Sequence, residues 1–129
     1  MIIYKMKLEL TIFLPFLASF VTMVIKVILS KIENKKFKIS GMPSGHAAAF
    51  GGLLTYLFLK GSSPEIISVA LVITLCYLFD IWRMHYFITK DRKEIDLGHS
   101  MDEIIVGFII GIITIVTYSK FYKLSSIHV

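Results

Sequence analysis

The stretch MDEIIVGFIIGIITIVTYS, residues 101–119, decides how this chain folds. After Asp102 and Glu103 no charged residue appears before Lys120. At 1.5 Å per residue a helix of this length covers nearly all of a hydrocarbon core of roughly 30 Å. The apolar residues do not alternate with polar ones as in a barrel strand. Backbone N–H and C=O groups in lipid must be satisfied within the segment, so a helix follows. Three further apolar stretches precede it. Residues 10–30 are interrupted only by Lys26, residues 43–59 carry His46 near their start, and residues 64–82 carry Asp80 near their end. The expected fold is all-α: an integral membrane bundle of about four transmembrane helices, one membrane-embedded domain over residues 1–129.

Composition agrees. Hydrophobic residues make up 56% of the 129 and charged residues 18%, against about 45–50% and 25% in a soluble domain; the mean hydropathy is +0.76. These values exclude a disordered chain, a nucleic-acid-binding tail and an ordinary soluble enzyme. One cysteine excludes an intrachain disulfide and a cysteine zinc cage, and Cys76, within an apolar run, is expected to fill the core. The net charge of +5 on a membrane chain suits lipid headgroups or phosphate rather than nucleic acid. Residues 10–30 exceed the ~7–15 residues of a signal-peptide core, and no small-x-small site follows them, so a retained helix is expected.

The connections at residues 31–40 and 60–63 are short, and residues 84–100 form the longest expected loop. Four spans place the first and third connections on one face with Lys31, Lys35, Lys36, Lys38, Arg83, Lys90, Arg92 and Lys93. The other face has Lys5, Lys7, Lys60, Lys120 and Lys123. The bias puts the first and third connections in the cytoplasm. A thin four-helix bundle also makes a homodimer an expectation.

Ionisable residues collect where the helices reach that same face. They are Lys26 from the first helix, His46 from the second, Asp80 and Arg83 from the third, and His99 and Glu103 from the fourth. Such residues in a bundle are costly and are functional candidates by default. In Gly41-Met42-Pro43-Ser44-Gly45-His46, Ser44 is a good N-cap and Gly45 permits close approach to the backbone. The free N–H groups of the next turn form an anion site to which His46 could donate a proton. A plain capped helix start with an interfacial histidine reads the same residues equally well. His99 and Glu103, four apart, share a helix face, and the carboxylate can fix the imidazole tautomer. That pair also reads as half of a metal site or as a helix-start acid. Arg83 has the geometry of a phosphate clamp, Asp80 is placed to hold it, and Lys26 adds charge or snorkels. His85 and His128 read as surface residues. Gly107 and Gly111, with Gly51 and Gly52, read as close-packing positions.

Together these residues resemble the type 2 phosphatidic acid phosphatase superfamily, which includes the vanadium-dependent haloperoxidases, and within it a small divergent membrane branch. Pro43-Ser44-Gly45-His46 is similar to the second motif. Arg83 followed by His99-x-x-x-Glu103 resembles the third, and Leu97-Gly98-His99 through Glu103 and Gly107 resembles the branch pattern. Lys26 looks like the lysine of the first motif, whose downstream Arg-Pro this chain lacks; Lys35, Lys36 or Lys38 could stand in for the arginine. The resemblance covers about residues 20–115. It implies a metal-independent and cofactor-free phosphohydrolase acting on a lipid phosphate or diphosphate in the cell membrane. His99 would be the nucleophile that becomes a phosphohistidine, Glu103 would orient it, and His46 would protonate the leaving oxygen. Lys26, Ser44, Gly45 and Arg83 would hold the phosphoryl oxygens, with Asp80 supporting. The missing Arg-Pro keeps a second expectation open, a protein that binds or transports a lipid phosphate without cleaving it. A metal site from His46, His99 and Glu103 is the third.

Overall fold

A computed structural model describes residues 2–34, 42–91 and 98–122. Among these residues the chain forms four helices and no strand: α1 (Ile2–Ile32), α2 (Gly45–Leu59), α3 (Pro64–Asp91) and α4 (Met101–Tyr122). Three of them contain stretches long and apolar enough to cross a membrane, at Phe13–Ile32, Pro64–Ile88 and Met101–Phe121. The chain is a helical membrane bundle.

The fourth element departs from expectation. A full second span was expected over residues 43–59, but α2 has 15 residues, about 22 Å at 1.5 Å per residue. Pro43 stands outside it, because Ser44 is the N-cap, with an extended backbone and a side chain that accepts from Ala47 N–H. At the other end Gly61, at φ +71°, turns the chain, and Gly61 N–H and Ser62 N–H bond back to Phe58 and Leu57 carbonyls, as at many helix C-termini. The short helix is the most enclosed element. It buries Gly45, Ala47, Ala48, Gly51, Gly52 and Tyr56, with α1 and α4 packed closely against it.

Small residues set that packing. A Cβ on Gly107 would run into the Ser44 backbone, and one on Gly111 would run into the Ala48 carbonyl. A Cβ on Gly51 would lie 2.6 Å from the Phe108 carbonyl oxygen. The α4 pair Gly107 and Gly111 therefore rides against Ser44, Ala48 and Gly52 of α2, at matching four-residue intervals. Without a hydrophobic drive in lipid, such close backbone contact supplies the attraction. Two buried clusters complete the bundle. Leu14, Tyr56 and Ile115 lie toward one end, and Ala47, Ile81 and Ile104, flanked by Leu78, Trp82 and Phe108, lie toward the other.

The third helix runs further than expected. The loop assigned to residues 84–100 is helical as far as Asp91, since residues 83–91 contain neither Gly nor Pro and exposed charges do not end a helix. Asp80 and Arg83 therefore lie within α3 rather than at its exit. α3 is also the most loosely attached helix, and Cys76 is exposed on it, not in the core. An apolar residue facing lipid gains nothing from leaving it, so hydrophobicity does not mark the bundle interior. Near its end α3 carries an aromatic series, Phe79 to Trp82 at 5.7 Å and Trp82 to Tyr86 at 5.9 Å between ring centroids, the residue types enriched at membrane–water boundaries.

Candidate functional site

The α2 N-terminus is held from two sides. Ser44 N–H donates to the Glu103 carbonyl oxygen at 3.1 Å, which ties the start of α2 to the first turn of α4. Gly45 lies against α1, where an added Cβ would be 3.1 Å from Ser19 Oγ and 3.3 Å from Thr22 Oγ1. Ser44 Oγ accepts from Ala47 N–H at 3.3 Å. Among the described residues the N–H groups of Gly45 and His46 make no hydrogen bond, so two orphan donors of the first turn remain for an anion.

His99 and Glu103 meet where α4 begins. His99 Nδ1 and Glu103 Oε2 are 3.0 Å apart. A carboxylate only accepts, so Nδ1 carries the proton and Nε2 keeps its lone pair. The same Oε2 accepts from Ser100 N–H at 3.2 Å, and Glu103 N–H donates to Ser100 Oγ at 3.4 Å. This is a capping box, a feature the reading of the pair as nucleophile and orienter passed over. Its signal, Ser100-x-x-Glu103, stands in the sequence. Gly98 sets the approach to it. Its φ is +78°, and a Cβ there would lie 2.6 Å from the Ile81 carbonyl oxygen and 2.9 Å from His85 N. Only glycine takes both the left-handed backbone and the contact. His85, expected at the surface, is part of this packing against Gly98 and is half-buried.

His99 is only 5% exposed, as is Lys26. Burial pushes the His99 imidazole below its ordinary value; the Glu103 hydrogen bond and charge oppose this, while Lys26 and His46 reinforce it. The Lys26 ammonium lies within electrostatic range of Glu103 as well as His99. His46 is exposed, and its ring centroid is 6.1 Å from that of His99 and 6.0 Å from that of Tyr77. One end of the bundle thus gathers a buried imidazole with a fixed tautomer, a second imidazole facing it, a buried lysine and a helix N-terminus.

Arg83 and Asp80 stand apart. They pair with each other at 3.4 Å, with side chains 57% and 64% exposed, and among the described residues Arg83 makes no contact with His46, His99 or Glu103. The two also line a separate surface cleft with Met84 and Phe87. Among the described residues no three His, Cys, Asp or Glu side chains are grouped to hold a metal ion. Glu103 Oε2 is already engaged by His99 and Ser100. Lys35, Lys36, Lys38, Gly41, Arg92, Lys93, Leu97, Lys123 and His128 lie outside the described residues. Compared with protein-family models, with curated proteins and with solved structures, the chain has no match.

Proposed function

We propose that the chain is a membrane phosphohydrolase that removes phosphate from a lipid phosphate or diphosphate through a phosphohistidine. The observation that carries the reading is the buried His99 imidazole, with Nδ1 tied to Glu103 at 3.0 Å and its ring 6.1 Å from His46. Nε2 of His99 attacks phosphorus and the bond to the leaving oxygen breaks. Protonated His46 gives that oxygen its proton. Water, deprotonated by the now neutral His46, then attacks the phosphohistidine, releases phosphate and restores His99. Lys26 and the N–H groups of Gly45 and His46 neutralise the phosphoryl oxygens, and Ser44 holds that turn in place. In phosphoryl transfer such positioning and charge stabilisation supply most of the acceleration. The site lies at the level of the α3 aromatic series, the depth at which lipid headgroups sit. The cell membrane is the proposed location.

One observation favours the non-catalytic reading: Arg83, the residue best shaped to grip a phosphate, pairs instead with Asp80. Phosphate release by the detergent-purified protein, with and without chelator, on phosphatidate, phosphatidylglycerophosphate and polyprenyl diphosphate separates the two. Chelator-resistant release that disappears in His99→Ala supports hydrolysis. Full activity in His99→Ala would sink it, and binding without turnover on every lipid would establish the second reading.

A further inference from the structure

The α2–α3 interface holds a second feature that no step of the reaction uses. The two helices touch where Ala47 packs with Ile81. Further along they part to leave an apolar groove of about 400 Å³, with Phe50 and Leu53 on one wall and Ile66, Ala70 and Ile73 on the other. At its far end stands Glu65, in the first turn of α3, and the helices are joined there by residues 60–63 alone. At its near end the groove is continuous with the site. Phe50 contacts Tyr77 with ring centroids 5.0 Å apart, and Tyr77 contacts His46 at 6.0 Å.

We propose that this groove holds one hydrocarbon chain of the lipid whose phosphate lies between His46 and His99, and that it measures that chain. The proposal rests on the lipid-phosphate reading above. Its length supports an acyl-sized occupant. Ile66 and Tyr77 are eleven residues apart on α3, about 16 Å at 1.5 Å per residue. The hydrocarbon depth of one leaflet is about 15 Å, half of a roughly 30 Å core. A chain hanging from a headgroup at His46 would therefore reach the turn at residues 60–63 as it reaches the bilayer midplane. Ordinary membrane lipid covers the outer faces of α1, α3 and α4 equally well. Only this groove runs to the site.

The test uses the full chain in vesicles with a lipid phosphate carrying a photoreactive group midway along one acyl chain. Cross-links are expected on residues 50–53 and 66–73, competed by unlabelled lipid phosphate. Ala70→Phe, which places a ring in the groove, should reduce them about tenfold, whereas Leu75→Phe, on exposed α3 surface, should not. Wild-type phosphate release should rise with acyl-chain length and then level off, and Ala70→Phe should remove the rise without changing release from the shortest substrate. Leu53→Trp obstructs the opposite wall and gives the same result if Ala70→Phe does not fold. Labelling spread evenly over the lipid-facing helices, or a chain-length profile unchanged in a folded groove variant, overturns the proposal. Labelling confined to the groove with no phosphate release from any lipid would leave the groove standing and remove the hydrolase reading.

Discussion

Glu103 Oε2 serves two donors, the imidazole of His99 and the N–H of Ser100, so one atom joins helix capping to the chemistry of the site. The electrostatics around His99 have a definite sign. Burial lowers its affinity for a proton, Glu103 raises it, and Lys26 lowers it. Titration by NMR of histidine-labelled protein in detergent should place His99 below the ordinary imidazole value of about 6.5. Glu103→Gln should lower it further, and Lys26→Met should raise it. A His99 midpoint at or above 6.5 would contradict the burial argument. Stability follows the same sign. The folded state resists a proton that the unfolded chain accepts, so the contribution is full above about 6.5 and is lost as pH falls toward the folded value. His46 carries a separate prediction. If it protonates the leaving oxygen, His46→Ala should slow release from a lipid phosphate by about 10²–10⁴-fold. The loss should be much smaller on an aryl phosphate, whose leaving oxygen needs no proton. Equal losses on both substrates would assign His46 to binding instead.

Among the elements, α2 and α4 hold the site together, and their contact explains why the motifs work as a unit. Ser44 N–H bonds to the Glu103 carbonyl while Gly107 lies against the Ser44 backbone, so the anion-binding turn and the His99–Glu103 pair are built on one joint. Gly107→Ala and Gly111→Ala should each destabilise the bundle by about 1–3 kcal/mol, the range for overpacking. Ser100→Ala, which opens the capping box, should cost about 1 kcal/mol. Denaturant titration in mixed micelles measures all three, and Gly107→Ala with wild-type stability would refute the close-packing account. Much of this was legible in the residues. The small-residue spacing in α4, the Ser44 cap and the four-residue step from His99 to Glu103 are local patterns with local causes. What was not legible depends on surroundings. Nothing in residues 83–91 tells whether their charges form a loop or the exposed end of a helix. Nothing in an apolar run containing Cys76 tells whether it faces lipid or protein. The orientation of Arg83, toward Asp80 rather than the histidines, is set by the rotation of α3, which no single-helix pattern encodes.

At the scale of the whole molecule, three spanning helices and one short enclosed helix make an uneven bundle. α1, α3 and α4 have the length to cross, and α2, about 22 Å long, depends on its neighbours and on the turns at its ends. The Gly61 turn lies at one end of α2, and the site, with Asn34 at the nearby end of α1, lies at the other. The basic residues of the sequence favour the site end, which places Asn34 and His46 in the cytoplasm by the positive-inside bias. Single cysteines test this directly in a Cys76→Ala background. In sealed inside-out vesicles a membrane-impermeant maleimide should label Asn34→Cys and leave Gly61→Cys unlabelled until detergent is added. In right-side-out vesicles the pattern should reverse. Native Cys76, within the Pro64–Ile88 span, should stay unlabelled in both, because thiolate formation and an impermeant reagent both require water. Labelling of positions 34 and 61 from the same side would mean that α2 does not carry the chain across. Inverted labelling would keep the fold and turn the site outward, and the basic residues near it would then be retained for binding phosphate rather than for setting orientation.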